Sequence, residues 1–551
     1  MVIHGSMTPT RAVHVAAAEL GRPAPEWSRR GRRGARLFLP LLPALALLAS
    51  ACASEEVISP LPPPAPTPLP PLEGAPPLTT ERTLEVVSAV IDPPARDPAV
   101  PADMEQLLAE GYGDVAIGPG QPLVPATLDG APPPPRGARP RLLSRFVHLA
   151  DTQLADDESP ARLAVFDAPG AFASAFRPQE GHECRILNAA VRTINAFHRS
   201  TPLDFVLLGG DNADNAQTNE ISWFMDILDG AERVECDSGN DDDPVRGPDN
   251  DPKDPFVAEG LAVPWRWVTG NHDVLHQGSF PIDEGREALA IGGMSTGGTR
   301  DWSLPGAPVI TGEVVPDPRR ALLSRPALLD RVAATGDGHG IGADERAYGK
   351  AFYEFDVKDT PLRVIVLDTS SDTGGSIGVI VQDDVDRFIR PALDRAKLEK
   401  RWVILASHHA SRVLGDGSFA PSGSPAAPGA LSVAAWQSLV GGYDNVLLHL
   451  GGHTHVHRWT RVEPSGGHAY WELETSALAD YPHQIRVIEI WDDDNGFVSI
   501  RGTALDYAVD GDPVAEDGRR RGVVDLTSGF GKDGSGEPAW RNVELSIQRP
   551  D

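Results

Sequence analysis

Short apolar runs that end at polar, metal-binding side chains constrain this chain more than any other feature of its sequence. Five such runs have the length and the buried composition of a strand. They cover residues 146–151, 204–211, 263–270, 403–407 and 446–450. Apolar residues at helical spacing occupy segments between them, including 182–198, 383–400 and 431–439. Strands that alternate with helices in this way predict an α/β fold.

Each predicted strand is followed by side chains that can bind a metal ion. They are Asp151, Asp211, Asn271, His408, and the pair His453 and His455. In α/β sheets, functional sites form beyond the carboxyl ends of the strands, so residues far apart in the chain can meet there. Carboxylate, amide and imidazole ligands without a thiolate suit Mn, Fe or Zn. We therefore expect a metal centre, and the glycines that precede several of these ends would let two ions approach closely.

Four motifs resemble those of the calcineurin-like metallophosphoesterases, and they occur in that family's order. They are Gly-Gly-Asp-Asn-Ala-Asp at 209–214, Gly-Asn-His-Asp at 270–273, His-His at 408–409 and Gly-His-Thr-His at 452–455. The resemblance covers about residues 141–505. It implies a four-layer α-β-β-α sandwich with two mixed sheets, built around a centre of two divalent metal ions.

The resemblance also implies a role for each residue of the centre. Asp211 would bridge the two ions. The other ligands would be Asp151 and His455 on the first ion, and Asn271, His408 and His453 on the second. His408 is preferred to His409 because the family's ligand is the first histidine of such a pair. His272 would lie beside the ions as the acid or electrostatic partner, and Asp273 would orient it.

One position departs from the family's pattern. The family usually opens with Asp-x-His, whereas this chain has Asp151-Thr152-Gln153. Gln153 is a neutral and weaker ligand that could bind the first ion or position a water molecule, so we expect lower affinity at the first ion. The stretch from Asp151, together with Glu158-Ser-Pro-Ala-Arg162, resembles a little-characterised bacterial branch of these enzymes.

The function implied is hydrolysis of a phosphate ester by a hydroxide that bridges the two ions. One alternative is a nucleotide or phosphomonoester phosphatase instead of a phosphodiesterase. Another is a catalytically weak binding lipoprotein on the same scaffold, which Gln153 would favour. The expected partner is a phosphate-ester small molecule or a lipid-derived substrate. The net charge of -29 disfavours nucleic acid.

The amino terminus predicts export. An arginine-rich segment at 28–36 precedes an apolar run at 37–48, which is too short to span a bilayer. Ala-Ser-Ala at 49–51 then precedes Cys52, which resembles a bacterial lipoprotein box and implies lipidation of Cys52. The protein would be periplasmic, anchored at the outer membrane or at the cell surface, and the lipid anchor would be its contact with the membrane. The alternative is an ordinary secretory signal, residues 1–52, with a coincidental cysteine.

The remaining segments surround a domain expected at 141–510. A Pro-rich linker at 53–82 would act as a semi-rigid spacer. Segments 83–140 and 511–551 are expected to be extensions. An acidic insertion at about 237–255 could bind calcium, although a solvated loop is favoured. Cys184 and Cys236 form an even pair, so a disulfide between them is a hypothesis that depends on export.

Overall fold

The fold is that of a computed structural model, which describes residues 65–132, 134–170 and 172–550. The predicted signal, Cys52 and the first part of the predicted linker lie outside the described residues. Within the described residues, no helix is both long enough and apolar enough to cross a membrane.

Seventeen strands occur in the described part of the chain. In chain order they are β1 (Arg82–Val86), β2 (Val115–Pro119), β3 (Val124–Thr127), β4 (Arg141–Leu149), β5 (Val206–Leu208), β6 (Trp265–Arg266), β7 (Met294–Arg300), β8 (Val309–Glu313), β9 (Tyr353–Asp356), β10 (Leu362–Leu367), β11 (Trp402–Ser407), β12 (Val446–Gly451), β13 (Arg458–Val462), β14 (Tyr470–Glu474), β15 (Gln484–Asp492), β16 (Phe497–Asp506) and β17 (Val543–Gln548).

The α-helices of the same residues are α1 (Pro101–Ala109), α2 (Glu183–Ser200), α3 (Thr218–Asp229), α4 (Glu284–Ala290), α5 (Arg325–Val332), α6 (Ala343–Tyr348), α7 (Gln382–Asp384), α8 (Arg390–Leu398), α9 (Val433–Val440), α10 (Pro513–Ser528) and α11 (Pro538–Arg541). A π-helical turn, Val385–Ile389, joins α7 to α8. Pro391 follows this turn and lacks the N–H that a regular α-helix would donate there.

Two mixed sheets form the centre of the fold. The first sheet has the order β3-β17-β16-β15-β4-β5-β6, and the second has the order β13-β14-β12-β11-β10-β9. Strands β4, β5 and β6 run parallel, as do β10, β11 and β12. In contrast, β15 is antiparallel to β4, and β9 is antiparallel to β10. These two mixed sheets confirm the predicted α/β class.

Alternate side chains of β11 show how the layers are arranged. Ile404 and Ala406 lie in an apolar cluster that also holds side chains from the first sheet and from α2. Val403 and Leu405 lie in a second cluster with side chains of α8 and α9. Successive residues of a strand face opposite sides of a sheet, so one side of β11 meets the first sheet and the other meets helices. The result is an α/β sandwich.

The first sheet extends beyond the expected domain boundaries. β17 pairs with β16, and β3 pairs in parallel with β17, with Val124 opposite Val543. Segments 83–140 and 511–551 therefore each supply a strand at one end of the main sheet, with β3 as the edge strand and β17 between β3 and β16. Pro125 within β3 is compatible with this position, because an edge strand leaves one row of N–H groups unpaired.

Cys184 and Cys236 form a disulfide, which confirms the hypothesised pair. Cys184 lies in the first turn of α2, and Cys236 lies in the loop after α3. The bond closes a loop with a sequence separation of 52 residues. It fixes the start of the acidic insertion to the helix that packs on the first sheet.

Candidate metal centre

The carboxyl ends of strands from both sheets converge on one group of side chains. Asp151 follows β4 and Asp211 follows β5 in the first sheet, whereas His408 follows β11 in the second. Carboxylate oxygens of the two aspartates and a ring nitrogen of His408 lie within 4.8 Å of one another. Residues from distant parts of the sequence thus meet at one edge of the sandwich.

Each carboxylate oxygen of Asp211 contacts a histidine residue at this site. Its Oδ2 lies 3.0 Å from Nε2 of His408, and its Oδ1 accepts a hydrogen bond of 2.8 Å from the backbone N–H of His272. Burial alone would raise the pKa of Asp211, but His408 and His272 hold it below its ordinary value. The carboxylate therefore stays ionised, which suits a ligand shared between two cations.

Asp151 is fully buried against the loop that follows β12. Its two carboxylate oxygens accept hydrogen bonds of 2.9 and 3.1 Å from the backbone N–H of His453, and Nε2 of His455 lies 3.4 Å from Oδ1. A Cβ atom at position 452 would lie only 2.4 Å from Oδ2 of Asp151. This close approach therefore requires Gly452.

Oδ1 of Asn271 is buried without a hydrogen-bond partner, and the buried Nε2 of His408 has only the Asp211 carboxylate beside it, at 3.0 Å. The other polar atom of each side chain is fixed. Nδ2 of Asn271 donates to the carbonyl oxygen of Gly278 at 2.9 Å, and Nδ1 of His408 donates to that of Gly209 at 2.8 Å. Leaving a buried polar atom unpaired costs free energy, so Oδ1 of Asn271 fits a bound divalent cation.

Charge also favours a cation beside His408. Burial lowers the pKa of His408, but the carboxylates of Asp211 and Asp151 raise it to about 9. The pKa of His453 is lowered to about 3 by burial and then by the charge of His408, so His453 is neutral. A position that attracts a proton this strongly between two carboxylates also attracts a metal ion.

His409 lies close to His408 and His453 but has no free ring nitrogen. Its Nδ1 is 2.8 Å from Oγ1 of Thr369, and its Nε2 is 3.1 Å from the carbonyl oxygen of Ser376. A ring nitrogen of each of the three histidines could otherwise meet around one ion. The hydrogen bonds leave His408, and not His409, available as the ligand.

His455 is connected to Gln153 through two charged side chains. Nδ1 of His455 hydrogen-bonds to Oδ2 of Asp480, and Oδ1 of Asp480 accepts a hydrogen bond of 2.6 Å from Nε of Arg177. Nη2 of Arg177 donates to Oε1 of Gln153, also at 2.6 Å. The oxygen that could have made Gln153 a metal ligand therefore already contacts a guanidinium group.

The charges of these hydrogen-bonded side chains hold His455 in place. Burial lowers the pKa of His455, but Asp480 and Asp151 raise it to about 10. Burial would raise the pKa of Asp480, whereas Arg177 and His455 hold it below its ordinary value. A carboxylate on the outer nitrogen is the usual way to orient an imidazole that binds a metal through its other nitrogen.

Nε2 is the ring nitrogen of His272 that remains available in the cleft, because Nδ1 is hydrogen-bonded. Nδ1 lies 2.6 Å from the carbonyl oxygen of Asp214 and 3.4 Å from its Oδ1. A carbonyl oxygen only accepts, so Nδ1 carries the hydrogen. Burial lowers the pKa of His272, but Asp211 and Asp214 raise it above its ordinary value. A Cβ at Gly278 would lie 2.2 Å from the ring, so the turn there must be glycine.

Asp273 was expected to orient His272, but its carboxylate binds backbone N–H groups instead. Its carboxylate accepts hydrogen bonds from the backbone N–H groups of Gly270, Asp211, Asn212 and Ala213, at 2.7, 3.1, 2.8 and 3.1 Å. Burial and the charge of Asp211 raise its pKa to about 7. Asp273 thus fixes the loop that carries Asp211, and Asp214 is the residue that orients His272.

Five of the candidate ligands have left-handed backbone. Their φ angles are 51° at Asp151, 37° at Gln153, 53° at Asp211, 68° at His453 and 57° at His455. Residues other than glycine rarely adopt this conformation, which costs of order 1–3 kcal/mol each. Such strain is typical of functional sites, where the surrounding structure enforces it.

A cleft of about 560 Å³ opens beside the group. Its polar lining includes Asp211, Asn271, His272, His453 and His455. An apolar wall is formed by side chains that include Phe172, Phe280 and Phe419, and the last two rings meet edge-on with their centroids 5.6 Å apart. Lys532 lies on the exposed rim. The cleft thus combines polar side chains of the group with an apolar wall.

Three residues of the site were not identified from the sequence: Arg177, Asp480 and Asp214. Asp214 ends the Gly-Gly-Asp-Asn-Ala-Asp motif, so its place in that motif could have marked it. Arg177 and Asp480 belong to no motif, and they are 303 positions apart. Only the fold brings them together.

No family model matches the sequence, and no curated protein matches it. Among solved structures, the chain is similar to the purple acid phosphatase PPD1 from yellow lupin (Lupinus luteus) seeds, with 12% identity and a TM-score of 0.31 over 71% of this chain and 54% of that one. The chain thus spans about half the length of that phosphatase. It is also similar to GAP50, the anchor in the inner membrane complex of Plasmodium, with 12% identity and a TM-score of 0.26 over 66% and 84% of the two chains. We therefore infer function from the geometry of the site alone.

Proposed function

We propose that this chain is a metal-dependent phosphoesterase with two divalent cations in its centre. Asp211 would be shared by both ions, Asp151 and His455 would hold the first, and the second would be held by Asn271, His408 and His453. The observation that supports the proposal most is the buried, unpartnered Oδ1 of Asn271, together with Nε2 of His408, which faces the ionised carboxylate of Asp211 at 3.0 Å.

When bound, divalent cations of the Mn, Fe or Zn type supply a low pKa for a water molecule and positive charge for the phosphoryl oxygens. The protein positions the ligands for that purpose. Asp273 fixes the backbone that carries Asp211, and Asp480 orients His455. The hydrogen bonds from the backbone N–H of His453 to the Asp151 carboxylate keep the two sides of the centre in contact, although both residues have strained backbone.

His272 is proposed as the proton donor to the leaving group. Its Nδ1 is held by the carbonyl of Asp214, so Nε2 is the atom that a substrate in the cleft can reach. The carboxylates of Asp211 and Asp214 raise the pKa of the ring above its ordinary value, which favours its protonated form. A positioned acid with these properties lowers the barrier to breaking the ester bond.

The proposed substrate is a small phosphate ester with an apolar group, which includes lipid-derived esters. Phe280 and Phe419 would contact the apolar group, while the floor of the cleft would receive the phosphate. An activity assay decides whether the ester is a monoester or a diester.

The test is hydrolysis of a chromogenic phosphodiester and of a chromogenic monoester, with added Mn²⁺, before and after chelation. We expect activity that chelation abolishes and Mn²⁺ restores, and that Asp211→Ala removes. Full activity in both Asp211→Ala and His272→Ala would overturn the proposal.

A second candidate function is a binding protein with little turnover, and the Gln153–Arg177 contact favours it. Gln153 brings no charge to the first ion, and its oxygen is committed to Arg177. Metal content separates the two candidates, because a protein without turnover should retain less than two ions after purification, whereas the proposed enzyme should retain or regain two.

We further propose that the protein is exported and lipidated at Cys52. The support is the sequence alone, from the arginines at 28–36 to Cys52. Mass spectrometry of the membrane fraction of cells that express the full chain would test it. Recovery of an unmodified Cys52 in mature protein would contradict lipidation.

A further inference from the structure

A second carboxylate cluster lies away from the candidate metal centre. It forms where the acidic insertion meets the loop that follows Asp151. Oxygens of Glu158, Asp237 and Asp242 lie within 4.8 Å of one another. The three residues are 7%, 4% and 9% exposed, so the cluster is largely removed from water.

The positive charge near this cluster balances only part of it. Nζ of Lys253 lies 2.5 Å from Oε2 of Glu158 and 3.0 Å from Oδ1 of Asp157. In the part of the chain that the structure describes, Asp237 and Asp242 form no ion pair. Lys253 therefore pairs with Glu158 and Asp157, and Asp157 also lies 3.7 Å from Nε of Arg300. The charges that lack a partner are those of Asp237 and Asp242, and buried charges without a partner are strongly unfavourable.

One carboxylate oxygen of Asp237 is buried without a hydrogen-bond partner. Its Oδ2 accepts a hydrogen bond of 3.0 Å from the backbone N–H of Asp242, whereas its Oδ1 is buried without a partner. Burial raises the pKa of Asp237 to about 6, although Lys253 acts in the opposite direction. Burial also raises the pKa of Glu158 well above its ordinary value. Glu158 already has Lys253 beside it, so the unpartnered oxygen is Oδ1 of Asp237.

We propose that Glu158, Asp237 and Asp242 bind a calcium ion that stabilises the acidic insertion. Calcium prefers carboxylate oxygens in flexible arrangements and accepts additional ligands from water and backbone carbonyls. The ion would neutralise the excess negative charge that Lys253 leaves. It would join the loop after Asp151 to the segment that begins at the Cys184–Cys236 disulfide.

A neighbouring group of three aspartates differs from this cluster, because carboxylates of this group already accept backbone hydrogen bonds. Oxygens of Asp243, Asp251 and Asp254 also lie within 4.8 Å of one another. However, Asp251 accepts backbone hydrogen bonds from Val245, Lys253 and Asp254, and Asp254 accepts them from Asn250 and from Asp251. Their oxygens hold turns, so this second group needs no ion.

The experiment measures how calcium changes the thermal unfolding midpoint of the purified full chain after chelation. We expect Ca²⁺ at millimolar concentration to raise the midpoint, because calcium sites of extracellular modules bind in about the 10⁻⁴–10⁻³ M range. The double variant with Asp237→Asn and Asp242→Asn should lose this rise. Its midpoint without calcium should be no lower than that of the parent, because the substitutions remove repulsion.

A matched control removes the same charge from exposed neighbours. The double variant with Asp241→Asn and Asp243→Asn should keep the full calcium response. Asp211→Ala should also keep it, because Asp211 belongs to the candidate catalytic centre. These arms separate the proposed calcium site from calcium that binds at that centre.

A second measurement uses terbium as a calcium analogue. Trp302 donates from Nε1 to Oδ2 of Asp157 at 2.9 Å, and its ring lies 5.4 Å from Nζ of Lys253. Excitation of tryptophan should therefore sensitise Tb³⁺ emission, and Ca²⁺ should compete it away. Asp242→Asn alone, which changes the most exposed ligand, should weaken Tb³⁺ binding by about tenfold or more.

Two results would overturn the proposal. One is a parent chain whose midpoint does not move with calcium and which gives no sensitised emission. The other is an equal calcium response in the parent and in the double variant at 237 and 242. If that double variant does not fold, the terbium titration of Asp242→Asn decides in its place, and unchanged affinity there counts against the site.

Discussion

Nη2 of Arg177 donates a hydrogen bond to Oε1 of Gln153 across 2.6 Å. The same guanidinium donates from Nε to Asp480, which in turn holds Nδ1 of His455. Both Arg177 and Gln153 are buried. Gln153 is thus linked to His455 through Arg177 and Asp480, and its side-chain oxygen has a charged structural partner.

A double-mutant cycle should detect the coupling between these two residues. Gln153→Leu, Arg177→Met and the combined variant should show an interaction free energy of about 1.5–3 kcal/mol, typical of a hydrogen bond to a charged group. The measurement is urea unfolding of the metal-free proteins. Gln153→Leu should still bind two ions. Loss of one ion together with zero coupling would show that Gln153 is a ligand instead.

Asp480→Asn should weaken the first ion's site. The asparagine keeps the shape of the side chain but removes the charge that orients His455 and pairs with Arg177. Loss of such a partner of a metal-binding histidine typically costs roughly 10–100-fold in metal affinity or activity. Titration of metal-free protein with Mn²⁺ checks this, and the second ion's affinity serves as the internal control. Equal weakening of both ions would speak against the assignment.

His272→Gln should slow the enzyme in a way that depends on the leaving group. With an alkyl phosphate ester, loss of the proton donor should lower kcat by about 10²–10⁴-fold. With p-nitrophenyl esters the loss should be much smaller, because that leaving group departs without a proton. His468→Gln, a histidine in the turn before β14, is the control. The same decrease on both classes of ester would exclude the role as acid.

Asp525→Asn should stabilise the protein at neutral pH. Burial, followed by the charges of Asp480 and Asp167, raises the pKa of Asp525 well above its ordinary value, and its Oδ1 has no hydrogen-bond partner. Ionisation of such an acid costs folding free energy as pH rises from its unfolded pKa towards its folded pKa. The gain in the free energy of unfolding should be about 1 kcal/mol or more near pH 7 and should vanish below about pH 4.

The control for this pH dependence is Asp510→Asn, at an exposed aspartate. Its free energy of unfolding should follow that of the parent chain across the whole range. A difference between Asp525→Asn and the parent that is constant with pH would assign the effect to packing and not to ionisation.

Reduction of the Cys184–Cys236 bond should destabilise the fold without removing activity. For a loop of 52 residues the expected loss is roughly 2–5 kcal/mol of unfolding free energy. Chemical denaturation with and without a reducing agent measures it. A variant with alanine at both positions should match the reduced parent and should not respond to the reducing agent. A parent that does not respond either would contradict the bond.

The convergence of the six strand-end residues was predictable because each of them follows a local sequence signal. An apolar run, a glycine and a polar residue stand next to one another at Asp211, Asn271 and His453, and the geometry of α/β sheets brings such ends together. The α/β class followed from the same alternation. The preference for His408 over His409 came from the resemblance and stays a prediction, which the hydrogen bonds of both His409 ring nitrogens favour.

What the sequence could not predict depends on contacts between distant segments. Asp480 meets Arg177 only because β4 and β15 are neighbours in the first sheet. The burial of Asp237 depends on the disulfide and on the loop after Asp151, so the acidic insertion was expected to be solvated. The partnership of β3 and β17 was hidden as well, because both strands are short and carry no motif.

The parallel pairing of β3 with β17 sets the order of events when the chain is made. β3 emerges from the ribosome early, whereas its partner, Val543–Gln548, is made after every other strand of the first sheet. Until then the edge of β16 that β17 will cover remains open to other chains. The first sheet therefore closes only once β17 has been made, and an open strand edge favours aggregation during that interval.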